Sequence, residues 1–265
     1  MKKCLCLALA LLLILCCACG HKTDYRALLA EYSDFNREDA VDVFFIYGAP
    51  DDPAPLAQLE AKWGLRAIAG EGDSLSRALN LMHWLCSHTH KVSDCPYEGE
   101  TNAARLLNYS FDSEENGLNC RYYAIAFSEI LQAAGITAKA LYCYPGVYRD
   151  NHVVVRAWLD DEDRWVMLDP SFDLYVMDEA GHLLDAREIR ENLAANIPMH
   201  WNKDTTWNGN GYLDYLAEDL FYFECMQDTR YGRADAEDNE SIYLLPVGAT
   251  LDSDAVLATY NTFWE

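Results

Sequence analysis

From Cys120 onward, the apolar positions Tyr123, Phe127, Ile130, Leu131 and Ala134 recur every three or four residues, which places them on one helical face. Gly135 follows, where a helix can end in a left-handed turn. The stretch T-A-K-A-L-Y-C-Y then reads as a strand stopped by Pro145-Gly146. H-V-V-V-R-A-W-L and R-W-V-M-L-D read as two more strands, joined by Asp160-Asp161-Glu162-Asp163 into an antiparallel hairpin. If Leu159 faces Arg164 across that turn, Val154 lies opposite Asp169 and His152 one diagonal step away. His152 and Asp169 then share a face, and only a slip of one residue would separate them.

The flanks are read the same way. V-D-V-F-F-I-Y-G, ending at Gly48-Ala49-Pro50, is strand-like, Pro55 to Trp63 has helical spacing, and Leu65 to Ala69 reads as a short strand. Asp73 or Ser74 would cap a helix carrying Leu75, Ala78, Leu79, Met82 and Leu85, and a further helix covers Asn102 to Tyr109. Past Pro170 come an aromatic segment, a Gly181 turn, a helix near Ala186 to Ala194, an aromatic helix near Tyr212 to Met226, and a late strand at I-Y-L-L-P. No internal repeat or low-complexity tract interrupts the chain.

The ends and the charge narrow the setting. Lys2 and Lys3 precede an apolar run from Cys4 to Cys19 that is shorter than the roughly 20 residues of a spanning helix. It reads as an export signal. Ala18-Cys19-Gly20 resembles the lipobox of bacterial lipoproteins, which implies residues 1–18 as signal peptide and Cys19 as a lipidated mature N-terminus. A plain secretory signal is the alternative. Residues 19–40 then form a tether and 41–265 one domain, with its core over 75–176. The 20 basic and 43 acidic side chains give a formal net charge of −23, and loss of the two leader lysines makes the mature body more acidic still. Such a surface repels phosphate backbones and anionic head groups, so nucleic acid is excluded as a partner and only a lipid anchor would hold the chain to a membrane.

Beyond Cys19 stand Cys86, Cys95, Cys120, Cys143 and Cys225. If Cys120 stays free, the other four could pair in three ways. Cys120 sits in N-G-L-N-C-R-Y-Y-A-I-A-F, between a glycine turn and the start of the apolar helix. A helix N-terminus favours an anion and lowers a thiol's pKa, so Cys120 is a candidate nucleophile. His83, Cys86 and His90, with Cys95 beyond, are zinc-binding types without paired C-x-x-C spacing. They read as ordinary helix and loop residues, with a zinc site or a Cys86–Cys95 disulfide as alternatives. The 17 tyrosines and 7 tryptophans could line a peptide or glycan groove, but at helix and strand spacing most read as core.

The Cys120 motif, A-A-G-I-T-A-K-A after the helix, His152 opening a strand and W-V-M-L-D-P closing the next together resemble the transglutaminase-like superfamily of papain-related folds. The resemblance implies an α+β fold with a nucleophile helix packed on an antiparallel sheet. It implies Cys120 as nucleophile, His152 as general base and acid, and Asp169 as the orienting carboxylate, with no metal and no cofactor. The helix-start N–H groups would hold the oxyanion; Asn102, Asn108 and Asn116 are candidate side chains for that task, but each reads first as a surface or turn residue. The implied activity is acyl transfer on amides of a peptide, a protein or the peptide part of the cell wall, through a thioester. Hydrolysis by a peptidase or amidase is favoured over cross-linking, and a non-catalytic peptide- or glycan-binding module on the same fold is the alternative. The expected location is the extracytoplasmic face of the cell membrane.

Overall fold

The computed structural model describes residues 23–146, 150–207, 209–251 and 255–265. The expected signal peptide at 1–18 and the expected lipidation site at Cys19 lie outside the described residues. The helices are α1 (Tyr25–Glu31), α2 (Ala54–Trp63), α3 (Leu65–Ala69), α4 (Ser74–His88), α5 (Ala103–Asp112), α6 (Cys120–Ala133), α7 (Ala186–Ala194), α8 (Tyr212–Asp219) and α9 (Tyr260–Trp264). The strands are β1 (Ala138–Tyr144), β2 (His152–Leu159), β3 (Arg164–Asp169), β4 (Leu174–Met177), β5 (His200–Trp201), β6 (Thr206–Trp207), β7 (Asn210–Gly211), β8 (Tyr222–Met226), β9 (Ser241–Leu244) and β10 (Val256–Leu257). The fold is α+β.

Eight strands form one sheet in the order β10-β9-β8-β1-β2-β3-β4-β5, antiparallel except for the β9–β10 pair. The hairpin takes the register in which Leu159 faces Arg164 and Val155 faces Leu168. Strand alternation then sorts side chains into two layers. On one face Val153, Val155, Ala157, Val166 and Leu168 join a core with α2 to α6, centred on the fully buried Phe127 and Ile130. On the other, Val154, Met167, Leu141 and Cys143 pack under α1, α7, α8 and α9. Because both faces are covered, β2 carries an unbroken valine run instead of alternating polar positions.

Local chemistry explains the element ends. The Asp73 side chain accepts from the Ser76 N–H to cap α4, Asn102 does the same for Arg105 in α5, and Gly135 leaves α6 at φ 84°. From Tyr25 onward the expected tether packs against α7 and α8, with Leu29 buried.

Three expected elements differ. Leu65 to Ala69 is helix α3: Gly64, at φ 65°, ends α2, and a helical turn buries Leu65 and Ala69 together at i and i+4. Val41 to Gly48 forms no strand, because Val41 bridges to Ala258 and Ile46 to Asp228, so the segment crosses two partners without a ladder. The aromatic helix stops at Asp219, and Tyr222 to Met226 is strand β8, held between β1 and β9. A strand paired on both sides satisfies its backbone in a way that a longer helix would deny to β1.

Candidate active site

Three neighbouring elements carry the expected site residues. Asn119 caps α6 by accepting from the Tyr122 N–H, which puts Cys120 at the first helical position and leaves helix-start N–H groups beside its thiol. His152 opens β2 and Asp169 closes β3, and the hairpin register turns both to the same face of the sheet.

The geometry there is tight. His152 and Asp169 are fully buried, with Nε2 of His152 2.7 Å from Oδ2 of Asp169. The other imidazole nitrogen, Nδ1, is buried with no hydrogen-bond partner among the described residues. The Cys120 thiol lies against the start of the same strand, its sulfur 3.9 Å from the Asn151 carbonyl oxygen. The ring of His152 is walled by Phe172 and Tyr215, at centroid distances of 5.8 and 5.2 Å.

Asp169 is held by four donors. Oδ1 accepts from the Ser171 N–H (3.1 Å) and the Ser171 hydroxyl (2.8 Å), a local turn across Asp-Pro-Ser. Oδ2 accepts from Tyr212 of α8 (2.9 Å) besides His152. Every lone-pair direction of this buried carboxylate is thus engaged, the condition for an ionised group in a dry interior.

The electrostatics follow from these contacts. Burial alone would lower the His152 pKa, but the charge and hydrogen bond of Asp169, with the adjacent Cys120 thiol, raise it to about 10. Burial alone would raise the Cys120 pKa, yet the neighbouring His152, the Val153 N–H and the charge of Lys91 bring it below the ordinary thiol value. For Asp169 burial is likewise outweighed, chiefly by His152, and its pKa is lowered. Thiolate and imidazolium stabilise each other, which is the ionisation state a nucleophilic cysteine needs. Asp219, at the end of α8, is buried, its Oδ2 has no hydrogen-bond partner among the described residues, and burial pushes its pKa up to about 7.

The other sequence candidates have structural roles. Asn102 caps α5 and receives the Tyr231 hydroxyl, Asn108 accepts from Lys62, and Asn116 donates to the Tyr109 carbonyl. The His83, Cys86, His90 and Cys95 group is dispersed: His83 faces Asp173, the Cys86 thiol donates to the Pro170 carbonyl, and the Cys95 thiol to that of Gly117. Among the described residues no cluster of metal-ligating side chains forms, and all five described cysteines are free thiols. Tyr212, Ser171 and Lys91 were not singled out from sequence. Only Ser171 carried a signal, as the second residue after an aspartate in a turn.

Residues 62–170 match the family model of the transglutaminase-like superfamily. Among solved structures, the chain is similar to the periplasmic domain of TgpA from Pseudomonas aeruginosa bound to ethylmercury, at 23% identity over 47% of this chain and 46% of that one, TM-score 0.36. It is also similar to a candidate cysteine protease from Cytophaga hutchinsonii, at 16% identity over 61% of each chain, TM-score 0.36. The chain spans roughly half to three-fifths of the length of these solved chains. A comparison with curated proteins returns no match.

Proposed function

Because residues 62–170 carry a transglutaminase-like core, we propose that this chain is an exported cysteine acyl-transfer enzyme acting on amides of peptides, proteins or cell-wall peptides. The observation that carries the reading is the buried 2.7 Å contact between His152 and Asp169 beside a thiol whose pKa is lowered.

In the proposed reaction the Cys120 thiolate attacks the amide carbonyl carbon. The oxyanion that forms meets the helix-start N–H groups, a contribution of roughly 3 kcal/mol per donor in comparable sites. With Nε2 committed to Asp169, Nδ1 of His152 delivers its proton to the departing amine as the C–N bond breaks, leaving a thioester on Cys120. His152 then takes a proton from water, which attacks the thioester; the acid leaves and the thiolate returns. An amine in place of water would give cross-linking. Hydrolysis is the favoured outcome, since a wet extracytoplasmic surface supplies water freely.

The export reading rests on the leader at 1–18 and its lipobox-like end at Cys19. No helix among the described residues is long and apolar enough to cross a membrane; in the proposed reading a lipid on Cys19 provides the attachment. The test is release of amines and peptides from cell-wall fragments and generic protein substrates. Wild type should release them, while Cys120→Ala and His152→Ala should not, and Asp169→Asn should lose on the order of 10²–10⁴ in rate. Equal release by wild type and Cys120→Ala would refute the proposal.

A further inference from the structure

Beside the Cys120 site lies a cavity of about 490 Å³, reached past Phe172, whose ring also packs on His152. Its charged lining runs against the rest of the molecule. Lys91 and Lys203 face it with a single carboxylate, Asp173, in a chain where acidic side chains outnumber basic ones 43 to 20. Asp173 is already taken: Lys203 approaches it at 3.3 Å and His83 at 3.4 Å.

Lys91 has no such partner. Its Nζ lies 3.4 Å from the ring centroid of Phe172 and 3.9 Å from that of Trp207, and among the described residues it has no ion pair or hydrogen bond. Ring faces steady an ammonium but do not neutralise it; burial lowers the Lys91 pKa, and Asp169, Cys120, Asp219 and Asp150 oppose that only through space, without a direct contact. A lysine held on two aromatic rings beside the nucleophile, with no direct counter-ion among the described residues, is arranged to receive an anion.

We propose that this cavity is a specificity subsite for a carboxylate on the substrate, with Lys91 as the principal contact and Lys203 in support. The inference rests on the acyl-transfer reading for its place in catalysis, but the subsite itself is a binding claim. The carboxylate is either the free C-terminus of a peptide or an acidic side chain, and both present the same planar anion.

Bromoacetyl peptides separate these cases, because they alkylate Cys120 from a bound position. Three probes are compared at low ionic strength: bromoacetyl-Ala-Ala as the free acid, its C-terminal amide, and the amide of bromoacetyl-Glu-Ala. The acid or the glutamyl probe should label Cys120 at least about tenfold faster than the neutral amide, with added salt eroding the difference. Whichever of the two is faster identifies the source of the carboxylate. Since Lys91 also acidifies Cys120, the readout is the ratio of charged to neutral probe within each variant. That ratio should fall to about threefold or less in Lys91→Met and partway in Lys203→Gln, a surface change that leaves the aromatic packing alone. Equal labelling by all three probes in wild type, or a ratio unmoved in both variants, overturns the subsite.

The acetyl analogues, which cannot alkylate, are titrated into Cys120→Ala by calorimetry as a second measurement. Tighter binding of a charged analogue than of the neutral amide supports the subsite even where Cys120 in wild type resists labelling, a result that would count only against the catalytic reading. Equal binding overturns the subsite and leaves the catalytic reading standing.

Discussion

Tyr212 donates its hydroxyl to the same Asp169 oxygen that meets Nε2 of His152, so a helix some forty residues downstream helps fix the carboxylate that orients the imidazole. Removing that donor leaves Asp169 with its Ser171 contacts and makes it a stronger base toward His152. Tyr212→Phe should therefore lower amide cleavage by about ten- to a hundredfold, the equivalent of one hydrogen bond to a charged group. It should also move the alkaline limb of the rate profile upward. A purely structural tyrosine would lower stability and leave that limb in place, so the pH profile decides.

The pairing of Cys120 with His152 has its own pH signature. The thiol pKa is lowered and the His152 pKa raised to about 10, so the reactive thiolate with its imidazolium exists between the two values. Alkylation of Cys120 by iodoacetamide should rise at a lower pH than that of an ordinary thiol, because its pKa is lowered. His152→Ala removes the lowering partner and leaves burial to raise the thiol. Its labelling rate at pH 7 should drop by at least about tenfold and recover as the pH approaches 10. The pH profile of labelling, followed by mass spectrometry, measures both.

Glu129 of α6 is buried, and its two carboxyl oxygens accept from the Ala103 and Gly232 N–H groups, tying α5 and the loop at 232 to the central helix. Glu129→Gln places an NH2 against one of those donors and should cost about 1–3 kcal/mol in urea unfolding. Burial raises the Glu129 pKa to about 8. A carboxyl raised on folding stabilises fully below its unfolded value near 4.5 and loses that contribution as pH rises toward 8. The gap between wild type and Glu129→Gln should accordingly be widest near pH 5 and narrow by pH 8.

Lys139 on β1 is buried on the opposite layer, its Nζ 2.6 Å from the Tyr47 hydroxyl and 3.7 Å from the Phe45 ring centroid. Burial lowers its pKa to about 7 from 10.5. A lysine depressed on folding costs nothing above its unfolded pKa and progressively more as pH falls toward the folded one. Lys139→Met, of similar length and apolar, should be neutral or stabilising at pH 7. Its advantage over wild type should shrink by pH 10, as denaturation at pH 7, 8.5 and 10 would reveal.

The parts of the fold legible in the sequence are those whose signals are local. The hairpin register followed from a four-residue acidic turn, in which Asp163 adopts φ 52°, and that register brought His152 and Asp169 to one face. The Cys120 helix announced itself through its apolar spacing and Gly135, while the Asn119 cap emerged only in the structure. The misses are sites where tertiary context decides. Leu65 to Ala69 is too short to show a period. Y-L-D-Y-L-A-E-D-L-F-Y-F-E-C-M keeps the helical spacing of Leu213, Leu216, Leu220 and Phe223 to its end, and only the open edge of β1 turns its second half into a strand. Lys91 and Tyr212 reach the site from elements far apart in the chain, and nothing in their immediate neighbours marks them.

The sheet order puts β8, from beyond residue 170, against β1, and Tyr212 comes from the same C-terminal stretch. A fragment cut to the family-matching stretch would therefore present a raw strand edge able to pair with its own copies, and its aspartate would have lost a supporting hydroxyl. Any minimised version of this molecule has to keep the C-terminal third, since that part completes the sheet and braces the acid.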